Sequence, residues 1–301
     1  MESQSWQKWP LTILEERKNF LRLLLAFKEA SLFETVLEFW EKASIGLWEL
    51  GYWNDYFQCT NIALEAANVL DNASAQARLL RELGWCYMEW EDFSTARKYL
   101  NKSLQKARLA KDFLGKCNAL RYLGVLSHRQ KKLNSSLEYY RKALTIISPK
   151  RPQIPSNQQN EWAFQEASLH NLLGSLYLKL QDFPASYQEL SASLTQYHLL
   201  GEPYRYYQAA PLLNLGVWYF LQEDYGKARE YYQKCYQLSQ EIGRTDTVSS
   251  SILRLAQLAQ AQGNLKEALD LIDRVVSISG NEILSVREHA FRLKNEILTK
   301  N

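Results

Sequence analysis

The chain has 301 residues, with 36 Lys+Arg against 33 Asp+Glu and a formal net charge of +3, a balance too near neutral for a protein whose main partner is a phosphate backbone. Its four cysteines, Cys59, Cys86, Cys117 and Cys235, form no CxxC pair and read as small apolar residues of a reducing compartment. The longest apolar patch, Phe20 to Phe27, is broken by Arg22, and the opening MESQSWQKWP carries an acid and no apolar core. Neither a membrane span nor a secretory leader is expected, which places the chain in the cytoplasm.

Residues 1–33 read as a lead-in followed by a helix over 11–30, with an apolar stripe through Leu14, Phe20, Leu21, Leu24 and Phe27. A helix there caps whatever follows, and an amphipathic membrane or partner helix is the alternative. Residues 34–70 then hold two amphipathic helices with Trp40 and Trp53 in packing slots and Trp48 on another face. Similar helix pairs are expected near 74–110, 114–147, 164–200, 206–243 and 246–278. Between the third and fourth pairs, residues 147–163 contain Pro149, Pro152 and Pro155 and read as a surface loop, or else as a docking segment. Residues 281–301 form a closing helix, with Asn281 as N-cap and Ile283, Val286, Ala290, Leu293 and Ile297 on one face.

The pairs are copies. In Pro211 to Gly243 the first helix carries Leu212, Leu215, Gly216 and Tyr219, and the second carries Tyr225, Ala228, Tyr232 and Cys235, both at helical spacing. Gly216 is expected at the closest approach to Ala228, with Asp224 capping the second helix. Superposing the glycine slot gives Ser44, Gly84, Gly124, Gly174, Gly216 and Ala256, at intervals of 40, 40, 50, 42 and 40 residues. Six helix-turn-helix units near a fixed period describe an all-α solenoid.

The slots Leu215-Gly216, Tyr219, Asp224-Tyr225, Ala228 and Tyr232 resemble those of the tetratricopeptide repeat. So do Leu83-Gly84, Tyr87, Asp92-Phe93 and Ala96, and Leu173-Gly174, Tyr177 and Asp182-Phe183. The period is similar to the longer repeats of kinesin light chains, LGN-type spindle adaptors and the sensor arms of STAND signalling ATPases. Ser136 and Ser186 depart from the alanine that the family prefers, and His170 fills a slot usually apolar. The resemblance implies a right-handed α-solenoid of six pairs with caps at both ends, acting as a protein–protein adaptor or sensor.

Chemistry-bearing motifs are sparse. GxxxxGK[ST], GxGxxG and GxSxG do not occur, and the four histidines, 128, 170, 198 and 289, make no metal-ligand cluster. Glu166 and His170, four apart on one helix, read as a structural pair. No catalytic residue, metal or cofactor is expected.

A row beside the packing row lines the groove of stacked first helices. It is cationic and aromatic in the second and third units, at Arg78, Arg81, Trp85, Arg121, His128 and Arg129. It continues through Asn171 and turns apolar at Leu178, Leu213, Val217, Phe220 and Leu253. The expected partner-binding residues are Arg78, Arg81, Trp85, Arg121, His128, Asn171, Val217 and Phe220, which suit a protein or peptide segment that is acidic with an apolar end. Sharing of the apolar residues between neighbouring units is the structural alternative. The family's carboxylate clamp is not matched, because Trp85 and Tyr122 occupy its slots. A receptor for a small peptide or metabolite, changing curvature on binding, is a second functional reading. Helical-repeat RNA binding is a third, disfavoured by the last three units, which lack a basic face. Oligomeric state is left open.

Overall fold

A computed structural model describes residues 9–49, 52–148, 156–279 and 284–299. The described residues are helical and contain no strand. They fall into two compact units, Met1–Pro149 and Lys150–Asn301. The first holds α1 (Trp9–Glu29), α2 (Phe33–Glu49), α3 (Trp53–Val69), α4 (Ala73–Glu89), α5 (Phe93–Leu109), α6 (Phe113–Arg129) and α7 (Leu133–Ile147). The second holds α8 (Ser156–Lys179), α9 (Phe183–Leu199), a 3-10 turn (Glu202–Gln208), α10 (Ala209–Leu221), α11 (Tyr225–Glu241), α12 (Thr245–Ala261), α13 (Leu265–Ser279) and α14 (Leu284–Thr299).

Within each unit the helices pack in sequential pairs, and first helices meet the next first helix, α4 on α6 and α10 on α8 and α12. The turns explain why the pairs are so regular. After α10, Glu223 sits in the left-handed region at φ 60 and the Asp224 N–H donates to the Tyr219 carbonyl at 3.0 Å. Asp224 Oδ1 then accepts from the Lys227 N–H at 3.1 Å. One residue therefore closes one helix and caps the next. Asn72, Asp112 and Asp182 repeat the arrangement, and Asp92 repeats the side-chain cap, each cap contributing about 1 kcal/mol.

The glycine slot has a partner that the sequence reading did not identify. A Cβ on Gly216 would lie 2.5 Å from the ring of Tyr232, not against Ala228. Tyr232 follows Gly216 by sixteen residues (232 − 216), and the same offset puts Leu100 over Gly84, Tyr140 over Gly124 and Leu190 over Gly174. A large side chain from the second helix thus fills the notch in the first. Ala228 is fully buried but lies one turn earlier on α11. Ser186 and Ser136, which replace the preferred alanine, are both buried, and the Ser186 hydroxyl donates to the Gly174 carbonyl at 2.8 Å.

The segment read as a loop over 147–163 is partly helix. α8 begins at Ser156 and runs for 24 residues, against 17 for α9. The prolines stop at 155, and SNQQNEWAF contains no residue that breaks a helix. Residues 149–155 lie outside the described residues.

Both terminal helices have a buried stripe. Leu24, with Phe20, Leu21 and Phe27, packs against Val36, Leu37 and Trp40. Ala290, Leu293 and Ile297 pack with Ile252, Ala256 and Val275. The side chains of Leu14, Trp48 and Ile283 lie outside the described residues. Trp40 is buried and donates its indole N–H to Thr60 Oγ1 at 3.1 Å, while Trp53 is half-buried against the edge of Tyr56. All four cysteines are free and buried, and burial pushes the Cys59 and Cys86 thiols up to about 12.

Candidate functional site

On α4 and α6 the sequence-expected arginines stand against aromatic rings. Arg78 lies 5.4 Å from the centre of Trp40, Arg81 5.4 Å and Arg121 4.8 Å from Tyr122, and Arg129 5.0 Å from Trp85. Trp85 and Tyr122 meet edge to face at 5.5 Å. Stacking of this kind fixes long side chains before any partner arrives.

Three of these arginines already hold a carboxylate. Arg78 pairs with Glu41 on α2, Arg129 with Glu89 at 2.6 Å, and Arg81 with Glu82 at 2.6 Å. The last pair is the deepest, its side chains only 14% and 9% exposed. Arg81 Nε and Nη2 both donate to Glu82 Oε1, and the Tyr56 hydroxyl donates to Oε2 at 3.1 Å. Burial alone would lower the Arg81 pKa, but the adjacent Glu82 carboxylate holds it above the ordinary arginine value. Burial and then Glu82 raise Tyr56 well above the phenol range. The cationic patch is therefore a mixed network of four arginines, 78, 81, 121 and 129, and three glutamates, 41, 82 and 89. His128, half-buried, lies at the C-terminal end of α6 beside Arg129.

In the second unit Asn171 accepts from the Asn214 amide at 3.0 Å, which ties α8 to α10. Val217 and Phe220 are half-buried, and Phe220 packs on the Tyr225 ring at 5.7 Å. Leu178 and Leu253, and Met88 in the first unit, are buried rather than lining a groove. Leu178 packs with Leu190 and Leu215, and Leu253 belongs to the cluster of Ala256 and Leu293. Val217 and Phe220 also border a cavity of about 640 Å³ whose other walls come from α12, α14 and Leu265 at the start of α13.

Residues 165–241 match the model of the tetratricopeptide repeat. The fold is a tetratricopeptide-repeat solenoid. Among solved structures, the STAND protein PH0952 from Pyrococcus horikoshii, which has a tetratricopeptide repeat sensor, aligns with 98% of this chain at 15% identity and a TM-score of 0.66. The chain spans only 42% of that protein. BtubC (BKLC) from P. vanneervenii aligns with 74% of this chain and 89% of its own, at 19% identity and a TM-score of 0.59. A Rap protein complexed with Competence and Sporulation Factor aligns with 94% of this chain and 87% of its own, at 14% identity and a TM-score of 0.59. No curated protein matches the sequence.

The tetratricopeptide-repeat packing also decides the histidine that looked unusual. His170 does not pair along its own helix with Glu166; its Nδ1 lies 2.5 Å from Glu189 on α9. Glu166 is buried. Among the described residues no three His, Cys, Asp or Glu side chains gather as a metal site, and no described helix is long and apolar enough to cross a membrane.

Sequence reasoning missed the glutamate partners, although a signal was present. Glu41 precedes Arg78 by 37 residues and Glu89 precedes Arg129 by 40, close to one repeat period, so opposite charges one period apart on first helices predict such pairs. Arg254 on α12 was also missed, and so were His289 and Arg292, because α14 was read as a cap and not as a further first helix.

Proposed function

We propose that this solenoid is a non-catalytic protein-interaction scaffold of the cytoplasm, and that the α4–α6 face takes a partner segment that is acidic with an apolar end. The observation that carries the reading is the set of guanidinium groups held over Trp40, Trp85 and Tyr122. Arginine, tryptophan and tyrosine are the residues that most often dominate binding energy at protein interfaces, and here their rotamers are fixed in advance. An arginine already bonded to one carboxylate keeps further N–H donors for another, since a guanidinium has five. The half-buried Trp85 and Tyr122 rings offer the apolar contact. The Rap protein of the comparison is itself a complex with a factor, which fits a binding role for the fold. Asn171, Val217 and Phe220 belong to the second unit and are outside this face.

The reading is tested with partners captured from the native source on wild-type protein, then purified for rate measurements at two salt concentrations. Arg121→Glu is expected to slow association and flatten its salt dependence, with a loss of about 1 kcal/mol. Trp85→Ala is expected to raise the dissociation rate about tenfold. Partners that bind both variants at unchanged rates would dock elsewhere, and the α4–α6 assignment would be wrong.

A further inference from the structure

The cavity of the second unit lies between α10, α12 and α14 and is independent of the α4–α6 face. It is a cleft partly open to solvent, and its volume of about 640 Å³ falls in the range of small-molecule sites. α14 is what makes it finite: without that helix, α10 and α12 would present an open strip. Val217, Phe220, Leu293 and Ile297 supply apolar wall.

The polar groups are unlike those of α4 and α6. Arg254 on α12 and Arg292 on α14 both border the cavity, with Glu296 and His289. Among the described residues Arg254 donates to the Gln257 side chain at 2.9 Å, and neither arginine forms an ion pair with a carboxylate. On the first-unit face three of the four arginines are paired with glutamates, whereas here two arginines face one glutamate and neither is paired with it. Its field is visible in His289, whose pKa is lowered by burial and then by Arg254 and Arg292, with Glu296 opposing. The imidazole is thus neutral near pH 7, and the net excess is one positive charge.

We infer that the cavity between α10, α12 and α14 binds a small amphipathic monocarboxylate, its apolar body against Phe220, Leu293 and Ile297 and its carboxylate between Arg254 and Arg292. An apolar body alone would not need the arginines. A dianion would exceed the available charge. Arg254 is half-buried, and a guanidinium beside apolar walls gains more from a carboxylate than one in water does, while the exposed Arg292 at the rim adds further N–H donors.

Isothermal titration of the full chain with decanoate, decanol and decyltrimethylammonium tests this, because the three probes share a tail and differ in head charge. Decanoate is expected to saturate one site, decanol to bind about tenfold more weakly, and the ammonium not to bind at that site. Arg292→Gln, an exposed position, should weaken decanoate about tenfold and leave decanol unchanged. Arg254→Gln should do the same if its helix content matches wild type, and Arg292→Gln alone decides if it does not. Equal affinity for all three probes, no saturable decanoate binding, or decanoate binding that survives Arg292→Gln would each overturn the assignment. So would a short acidic peptide that occupies the cavity more tightly than decanoate.

Discussion

Gly216→Leu lowers the thermal midpoint by roughly 6 to 12 °C, the shift that about 3 kcal/mol produces in a protein of this size. The reason is local. The Cβ alone would meet Tyr232 Cδ1 and Cε1 at 2.5 Å, and Tyr232 is 1% exposed. A ring so enclosed has no rotamer into which to retreat, so either the ring or α10 must move. The partner is testable as well as the magnitude. Combining Gly216→Ala with Tyr232→Leu should cost less than the sum of the two single changes, because shortening the ring makes the room that the new methyl needs. Pairing Gly216→Ala with a change at Ala228 should show no such rescue. Strict additivity with Tyr232 would contradict the sixteen-residue registration that organises all four glycine notches.

Arg81→Glu costs about 3 kcal/mol or more of stability, measured by denaturant unfolding, and so is unsuitable as a surface probe of binding. In the sequence Arg81 is one of a set of groove arginines, and reversing its charge would be a mild change at an exposed site. In the structure it compensates Glu82, whose other oxygen takes the Tyr56 hydroxyl. Reversal places two carboxylates side by side where solvent barely reaches. Replacing both partners by apolar residues of similar volume, Arg81→Met with Glu82→Leu, should recover much of the loss, since an absent buried pair is less harmful than half of one. Arg121→Glu, by comparison, should leave the unfolding midpoint within about 1 kcal/mol of wild type. Equal losses for the two reversals would mean that the Arg81–Glu82–Tyr56 network does not hold the unit together.

The all-α repeat architecture was legible because it is written several times. Leu83-Gly84, Leu173-Gly174 and Leu215-Gly216 recur with an aromatic three residues on and an acid before the second helix, and a coincidence of that length is improbable. The turns were less legible. Glu91, Lys111, Lys131, Gln181 and Glu223 all take positive φ, a conformation that a glycine would have announced and these residues do not. The start of α8 was hidden for a similar reason: SNQQN is polar and carries no periodic apolar signal, so proline content dominated the reading.

In the expected site, the neutralisation of the arginines was not readable. Arg78, Arg81 and Arg129 count as three positive charges in sequence and as three pairs in space. The carboxylates of Glu41 and Glu89 are a repeat away, and only stacking brings them close. Phe220 was expected to line the groove of first helices, and it borders a cleft whose charged groups come from Arg254 of α12 and from α14. That helix lies about one more period beyond α12. Its apolar positions were seen, and its arginine was not, because a capping helix was expected to give its charges to solvent.

Hydrogen exchange of the chain with and without the captured partner tests the central claim, that the α4–α6 face is a docking surface, most directly. The account predicts added protection in Ala73–Glu89 and Phe113–Arg129, the spans of α4 and α6, with α5 and α7 unchanged. Protection confined to α5 and α7, or to the second unit, would contradict it.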